Sequence, residues 1–163
     1  MKKIKLPVAC NIITGKLDAN AAESDGIYPF FTCGEKPEKI NTYAFDDDVI
    51  ILAGNNAQGN FHIQRYSGKF NAYQRTYVIT AKEGFDIDYI KYSIELSLNH
   101  LKKIAQGSQT KFLTMSILNE FEINELSLNE QRNLIASIVA IDKKIENNNA
   151  INNNLPNYSS MVA

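Results

Sequence analysis

The spacing of apolar residues changes character near Gly84. Before it, apolar positions come in short runs or alternate with polar ones, as strands require. "IYPFFTC" (27–33) is aromatic and β-favouring, and "GEKPEK" supplies a turn after it. "DDDVIILAG" (46–54) predicts a short buried strand entered from an acidic turn and left at a glycine. "GNNAQGN" (54–60) is a polar loop bracketed by glycines. "FHIQRY" alternates and predicts a half-buried strand, "SGKFN" predicts a turn shaped by Gly68 and Asn71, and "RTYVIT" predicts another strand. After Gly84 the period lengthens. Ile87, Ile90, Ile94, Leu98, Leu101 and Ile104 lie three or four residues apart, which predicts helix with a break near Asn99. "QGSQTKF" interrupts that stripe, and "LTMSILNEF" predicts a short helix capped by Thr114.

The last helix has the clearest start. Ser127 and Glu130 form a capping-box pattern in which each side chain serves the other's backbone N–H. Leu134, Ile138, Ile141 and Ile145 then follow at heptad-like spacing, and the same rhythm continues through Asn148, Asn152 and Leu155. The distal part of this seam is polar, and a buried Asn weakens a coiled coil while specifying its register. A stripe this narrow either docks on the globular part or projects to meet another helix. The chain divides into a domain over 1–126, a helix over 127–155 and a tail over 156–163, with Pro156 as the helix terminator.

Composition supports a real core: 44% of the 163 residues are hydrophobic and 21% charged. No apolar run approaches a membrane span. "MKKIKLPVACNIITG" has lysines before apolar residues, as secretory leaders do, but Lys5, Pro7 and Asn11 interrupt it. A first strand or helix of a cytoplasmic protein is the expectation. Cys10, Cys33, His62 and His100 are scattered, without the spacing of a metal set or a Cys–His nucleophile. Net charge is −1, but its distribution is uneven. Residues 1–59 carry six Lys/Arg against eight Asp/Glu, residues 60–111 eight against four, and residues 112–163 three against six. The middle is the only basic part, a modest sign of a phosphate-facing surface.

Catalytic patterns fare poorly. "NLPNY" (154–158) has the flavour of the Asn-Pro-Pro-Tyr motif of amino-methyltransferases, but Leu155 stands for the first proline and Asn157 separates Pro156 from Tyr158. Asp86 and Asp88 in "DIDYIK" suit a helix N-terminus better than a metal pair, because side chains two apart on a helix diverge. With no phosphate loop or Ser/His/Asp set, the chain reads as a non-enzyme on its own. Binding chemistry is better represented. "GKFNAYQRTYVI" (68–79) sets Phe70, Tyr73 and Tyr77 among Lys69, Arg75, Asn71 and Gln74. Cations serve phosphates and guanine edges, amides pair with adenine, and aromatics pack on sugars and bases. The neighbouring loop adds Asn55, Asn56, Gln58 and Asn60. The same residues also have ordinary roles, with Phe70 and Tyr77 as core and the polar ones as solvated surface.

"ITGKLDANAA", "YPFFTC", "VIILAGNNAQGNF" and "GKFNAYQRTYVI" closely resemble a target-recognition domain of the specificity (S) subunits of type I restriction–modification enzymes. "GSQTKFLTMSILNEFEI" resembles the link to that family's conserved helix, and "NEQRNLIASIVAIDKKIENNN" resembles the helix itself. The resemblance runs from about Lys5 to Leu155. It implies an α+β fold, a globular mixed α/β recognition domain with a twisted β-sheet followed by a long coiled-coil-type helix. It also implies a non-catalytic subunit that binds double-stranded DNA and modification (M) subunits, and restriction (R) subunits where present. S-adenosylmethionine, ATP and Mg belong to those partners, and no cofactor or metal to this chain. Asn55, Asn56, Gln58, Lys69, Tyr73, Gln74 and Arg75 are the DNA-contact candidates. Leu134, Ile138, Ile141 and Ile145 are the helix-pairing candidates. Family members usually carry two recognition domains and two helices, whereas this sequence has one of each; it reads as a half-length subunit or a fragment of one, and a homodimer of half-subunits is the expectation. The alternative is a scaffold or decoy that binds M subunits through the helix without useful DNA reading.

Overall fold

The first strand, β1 (Lys3–Lys5), pairs antiparallel with β10 (Glu122–Asn124), so the start of the chain is tied to the segment that precedes the last helix. The fold is taken from a computed structural model that describes residues 2–154. Between these strands lie α1 (Leu6–Ala9), β2 (Cys10–Thr14), β3 (Tyr28–Phe31), β4 (Glu38–Ile40), β5 (Phe45–Ala53), β6 (Asn55–Asn56), β7 (Ile63–Ala72) and β8 (Thr76–Ala81). They are followed by α2 (Ile87–Glu95), α3 (Leu98–Ile104), β9 (Lys111–Phe112) and α4 (Met115–Glu120); α5 (Leu128–Asn154) follows β10. Six strands form one sheet in the order β2-β8-β5-β7-β3-β4, and β6 pairs with β9 apart from it. The sheet is mixed, because β3 runs parallel to β7 while the other pairs are antiparallel.

Strand β5 is the centre. Val49 to Ala53 are all buried, and a strand covered on both faces reads as a continuous apolar run. Ile50 and Leu52 pack with Tyr77, Ile79 and the helical residues Leu6, Ile90, Ile94, Leu101 and Leu118. Val49 and Ile51 face the other way, onto Phe31, Phe70, Ala72 and Val78. The second cluster exists because the sheet curls. Both β7 and β8 run antiparallel to β5, on opposite sides of it, so residues 73–75 carry the chain across from one flank to the other. The curl brings Gly15, just after β2, against Ala72 at the end of β7; a Cβ on Gly15 would lie 2.0 Å from the Ala72 carbonyl oxygen.

Three local expectations are corrected here. "SGKFN" is not a turn but part of β7, with Gly68 opposite Asp47 and Phe70 opposite Phe45. Asn71 is 5% exposed, its amide donating to Thr42 Oγ1 and accepting from the Ala72 N–H. Pairing to β5 and β3 outweighs the local turn preference of Gly and Asn. Asp46 to Asp48 lie inside β5 rather than in a turn before it. Asp48 is held there by an ion pair to Arg65 at 2.8 Å.

The helices agree with their signals. The Asp86 carboxylate accepts from the N–H groups of Asp88 and Tyr89 and caps α2, and the predicted break falls between α2 and α3. Thr114 Oγ1 accepts from the Ile117 N–H at the start of α4. The capping box at Ser127 and Glu130 forms reciprocally, at 2.8 Å and 3.4 Å. Helix α5 is used differently from the single seam expected. Gln131 and Ile135 are buried, and Ile138 and Val139 pack against the same core, whereas Leu134, Ile141 and Ile145 are exposed. Ile138 therefore belongs to the docked face, because the α-helical period sets Ile135, Ile138 and Val139 on one stripe and the other three beside it. Leu155, Pro156 and the 156–163 tail lie outside the described residues, as does the side chain of Asn152.

Candidate nucleic-acid interface

Where β5 ends, the backbone makes three attachments in succession. Gly54 donates its N–H to the Arg75 carbonyl at 2.8 Å, and its own carbonyl accepts from the Leu113 N–H at 2.8 Å. Next, β6 pairs with β9, Asn55 opposite Phe112 and Asn56 opposite Lys111. These bonds gather three segments distant in sequence at one corner: the loop 54–60, the crossover 73–75 and the loop 106–112. The last is a closed loop, since Gln106 and Phe112 exchange both backbone hydrogen bonds, at 3.0 Å and 2.9 Å. Between those ends Ser108, Gln109 and Thr110 are exposed.

Cations frame this corner. Gly59, at φ +74, lies between the stems of Lys102 and Lys111; a Cβ there would be 2.9 Å from Lys102 Cγ and 3.4 Å from Lys111 Cβ. The Lys102 ammonium donates to Asn60 Oδ1 at 2.8 Å. Lys102 and Lys103 occupy the last turn of α3, where the helix dipole favours positive charge. A cleft of about 260 Å³ runs beside the crossover, lined by Thr14, Gln74, Arg75, Tyr77, Phe112 and Thr114. Its floor is fixed by the Tyr77 hydroxyl, which donates to the Leu113 carbonyl at 2.8 Å. Burial pushes that phenol above its ordinary range, so it stays neutral and a donor.

The structure brings most, but not all, of the sequence candidates together. Gln74 and Arg75 are exposed in the turn closed by the Thr76 N–H donating to the Tyr73 carbonyl. Gln58 is exposed and Asn55 half-buried in the neighbouring loop. Asn56 is already committed: its Oδ1 accepts from the Gln58 and Asn60 N–H groups, both at 2.9 Å, and so closes the loop. Tyr73 is half-buried, its backbone joined to Phe31 at 2.9 Å and bridged to Leu17. Lys69 stands apart. It lies opposite Asp46 at the far end of β5, with its ammonium 4.6 Å above the Tyr43 ring.

Lys102, Lys103 and Lys111 were not singled out by the sequence reading, although the charge excess of residues 60–111 contains them. Several cations of that stretch are already partnered within the chain. Arg65 pairs with Asp48 and Asp88, Lys91 with Glu95, and Lys82 donates to the Pro7 carbonyl. Subtracting these leaves five, of which Arg75, Lys102 and Lys111 lie around the amide loop, Lys103 follows Lys102 in the last turn of α3, and Lys69 stands at the far end of β5. Among the described residues, no group of three or more His, Cys, Asp or Glu side chains could hold a metal ion.

Comparison with known proteins bears on what such a corner serves. Residues 2–157 match the family described as "Type I restriction modification DNA specificity domain". The type I restriction enzyme EcoDI specificity subunit of Escherichia coli is 35% identical over 149 residues, covering 91% of this chain and 33% of that protein. Among solved structures, the type I restriction-modification S subunit from M. genitalium superposes with a TM-score of 0.73 at 18% identity, over 90% of this chain and 40% of that one. The HsdS subunit from Thermoanaerobacter tengcongensis gives 0.68 at 18% identity, over 89% and 38%. These two share the fold. The chain thus spans about a third of the curated relative and about two fifths of the solved chains. The kinship places it with specificity subunits rather than with catalytic ones. On a match that runs nearly end to end, the chain belongs to the type I restriction–modification DNA specificity domain family.

Proposed function

We propose that this chain reads DNA sequence for a type I restriction–modification enzyme and leaves all covalent chemistry to partner subunits. The observation that carries the reading is the corner at Gly54. There an amide-rich loop, an exposed Gln74–Arg75 turn and the strand of Lys111 are held together by backbone hydrogen bonds, and Lys102 joins them through its bond to Asn60. Such a surface offers cations for phosphates and amides for base edges on a rigid frame. The exposed Leu134, Ile141 and Ile145 of α5 form the surface for M subunits and for a second copy of the helix. Two copies pairing antiparallel about a two-fold axis would present two recognition domains to a split, palindromic site. Helix α5 has 27 residues and is about 40 Å long, close to one turn of B-DNA. S-adenosylmethionine, ATP and Mg are held by the partners, in the cytoplasm.

The test is DNA binding by the complex reconstituted with M subunits, against the same complex carrying Arg75→Ala and Lys111→Ala together. Loss of binding with intact assembly supports the reading. Assembly with M subunits but no DNA binding by the unmutated complex would refute it in favour of a scaffold.

A further inference from the structure

Gln131 is a polar side chain with no exposed surface, sitting in the first turns of α5. Its Oε1 accepts from the Asp86 N–H at 2.8 Å, and its Nε2 donates to the Leu126 carbonyl at 2.8 Å and the Gly84 carbonyl at 3.3 Å. One amide therefore joins three backbone points: the turn before α2, the N-terminal residue of α2's cap and the segment entering α5. Asp86 is itself the cap of α2, so the bond ties the axis of α5 to the start of α2. The other contacts at this root are the apolar packing of Ile135, Ile138 and Val139 and a long ion pair from the exposed Arg132 side chain to Asp86 at 3.9 Å. Apolar packing is non-directional and tolerates small slides and tilts. A buried amide does not, because moving it strands a donor or an acceptor away from water.

We propose that Gln131 is a positioning residue that sets the angle between the recognition domain and α5, and so selects the number of base pairs between the two half-sites. This rests on the reading above that paired α5 helices hold two recognition domains apart. The recognition face lies on the order of 20 Å from the root in a domain of this size. A pivot of about 10° would displace that face by ~3.5 Å, close to the ~3.4 Å rise of one base pair. An unlatched root lets the domain settle on neighbouring spacings.

The experiment is selection from a library of fully randomised DNA duplexes by the complex with M subunits, comparing wild type with Gln131→Met, which keeps the side chain's length and removes all three bonds. The bases of each half-site report the recognition face, and the gap between them reports the angle. Wild type is expected to enrich one gap at least about ten-fold over its neighbours, a discrimination comparable to one mismatched base pair. Gln131→Met is expected to enrich the same half-site bases with adjacent gaps within about three-fold of each other. Unchanged half-sites with an unchanged single gap overturn the inference. A merely structural role would lower enrichment at all gaps alike, and that result overturns it too. If Gln131→Met does not fold, Gln131→Ala, which also removes all three bonds and leaves room for water at the freed backbone groups, takes its place with the same outcomes. A wild-type complex that enriches no two-part motif refutes the paired-domain reading, and this inference with it.

Discussion

Gly54 and Arg75 touch backbone to backbone: the Gly54 N–H meets the Arg75 carbonyl at 2.8 Å, and a Cβ on Gly54 would fall 2.2 Å from that oxygen. The contact holds the Gln74–Arg75 turn beside the amide loop, and no side chain larger than hydrogen fits. Gly54→Ala must push the crossover away, with an overpacking cost of about 1–3 kcal/mol. The expected result is a folded domain with a lowered melting temperature and at least a ten-fold loss of DNA affinity. Wild-type affinity in a folded Gly54→Ala protein would show that the turn's position does not matter.

The cations of the corner should behave differently from Lys69. Arg75→Ala, Lys102→Ala and Lys111→Ala should each reduce the dependence of binding on salt by about one unit of slope, as a lost phosphate contact does. Lys102→Ala also frees Asn60 Oδ1 and loosens the loop. Lys69→Ala, at the far end of β5 above Tyr43, should change the slope much less. Titrating binding across salt concentrations for the four variants checks the ranking, and a Lys69→Ala effect equal to that of Arg75→Ala would move the DNA footprint.

The start of α5 should weaken in acid. Hydrogen bonds from the Ser127 hydroxyl, and then from its backbone N–H, hold the Glu130 carboxyl below the ordinary glutamate range. A lowered folded-state pKa stabilises fully above the unfolded value, and the stabilisation is lost as pH falls through the folded value. Helix content should therefore fall on acidification through the carboxylate range, and Glu130→Gln should flatten that part of the profile. Separately, Ser127→Ala should cost about 1 kcal/mol as a lost N-cap. Circular dichroism across pH, with melts of the three proteins, measures both.

Two substitutions on α5 should separate folding from assembly. Ile141 is 58% exposed, so Ile141→Asp should leave the melting temperature near wild type while abolishing the two-copy complex with M subunits. Ile135 is 9% exposed, so Ile135→Asp buries an unpaired carboxylate and should destabilise the domain by several kcal/mol. Native mass spectrometry beside thermal melts distinguishes them. Intact two-copy assembly in the Ile141→Asp protein would exclude this face as the pairing surface.

Much of this was open to a reader of the sequence. The helix starts at Asp86, Thr114 and Ser127 follow from short-range hydrogen bonds between residues two or three apart, and such bonds depend little on the rest of the chain. The apolar run Val49–Ala53 announced a short buried strand on a different ground: a strand covered on both faces reads as a continuous apolar run. Its apolar pattern also placed Phe70 and Tyr77 in the core.

What the sequence could not decide was everything settled between distant segments. Gly68 and Asn71 favour a turn locally, but the ladder to β5 and the parallel contact with β3 outweigh that preference, and the turn falls at Gln74–Arg75 instead. Lys69 and Arg75 look equivalent in the sequence; the curl of the sheet leaves one at the far end of β5 and the other beside the amide loop. Lys111 joins that loop because β9 pairs with β6, across more than fifty residues of chain, and Lys102 joins it through a side-chain bond to Asn60. Gln131 reads as an ordinary surface position of an amphipathic helix, until the turn before α2 closes over it and satisfies its amide. Local hydrogen-bond chemistry and apolar period were determined by the sequence itself. The recognition corner and the latch on α5 were decided by tertiary packing, because long-range pairing sets which polar groups must find partners away from water.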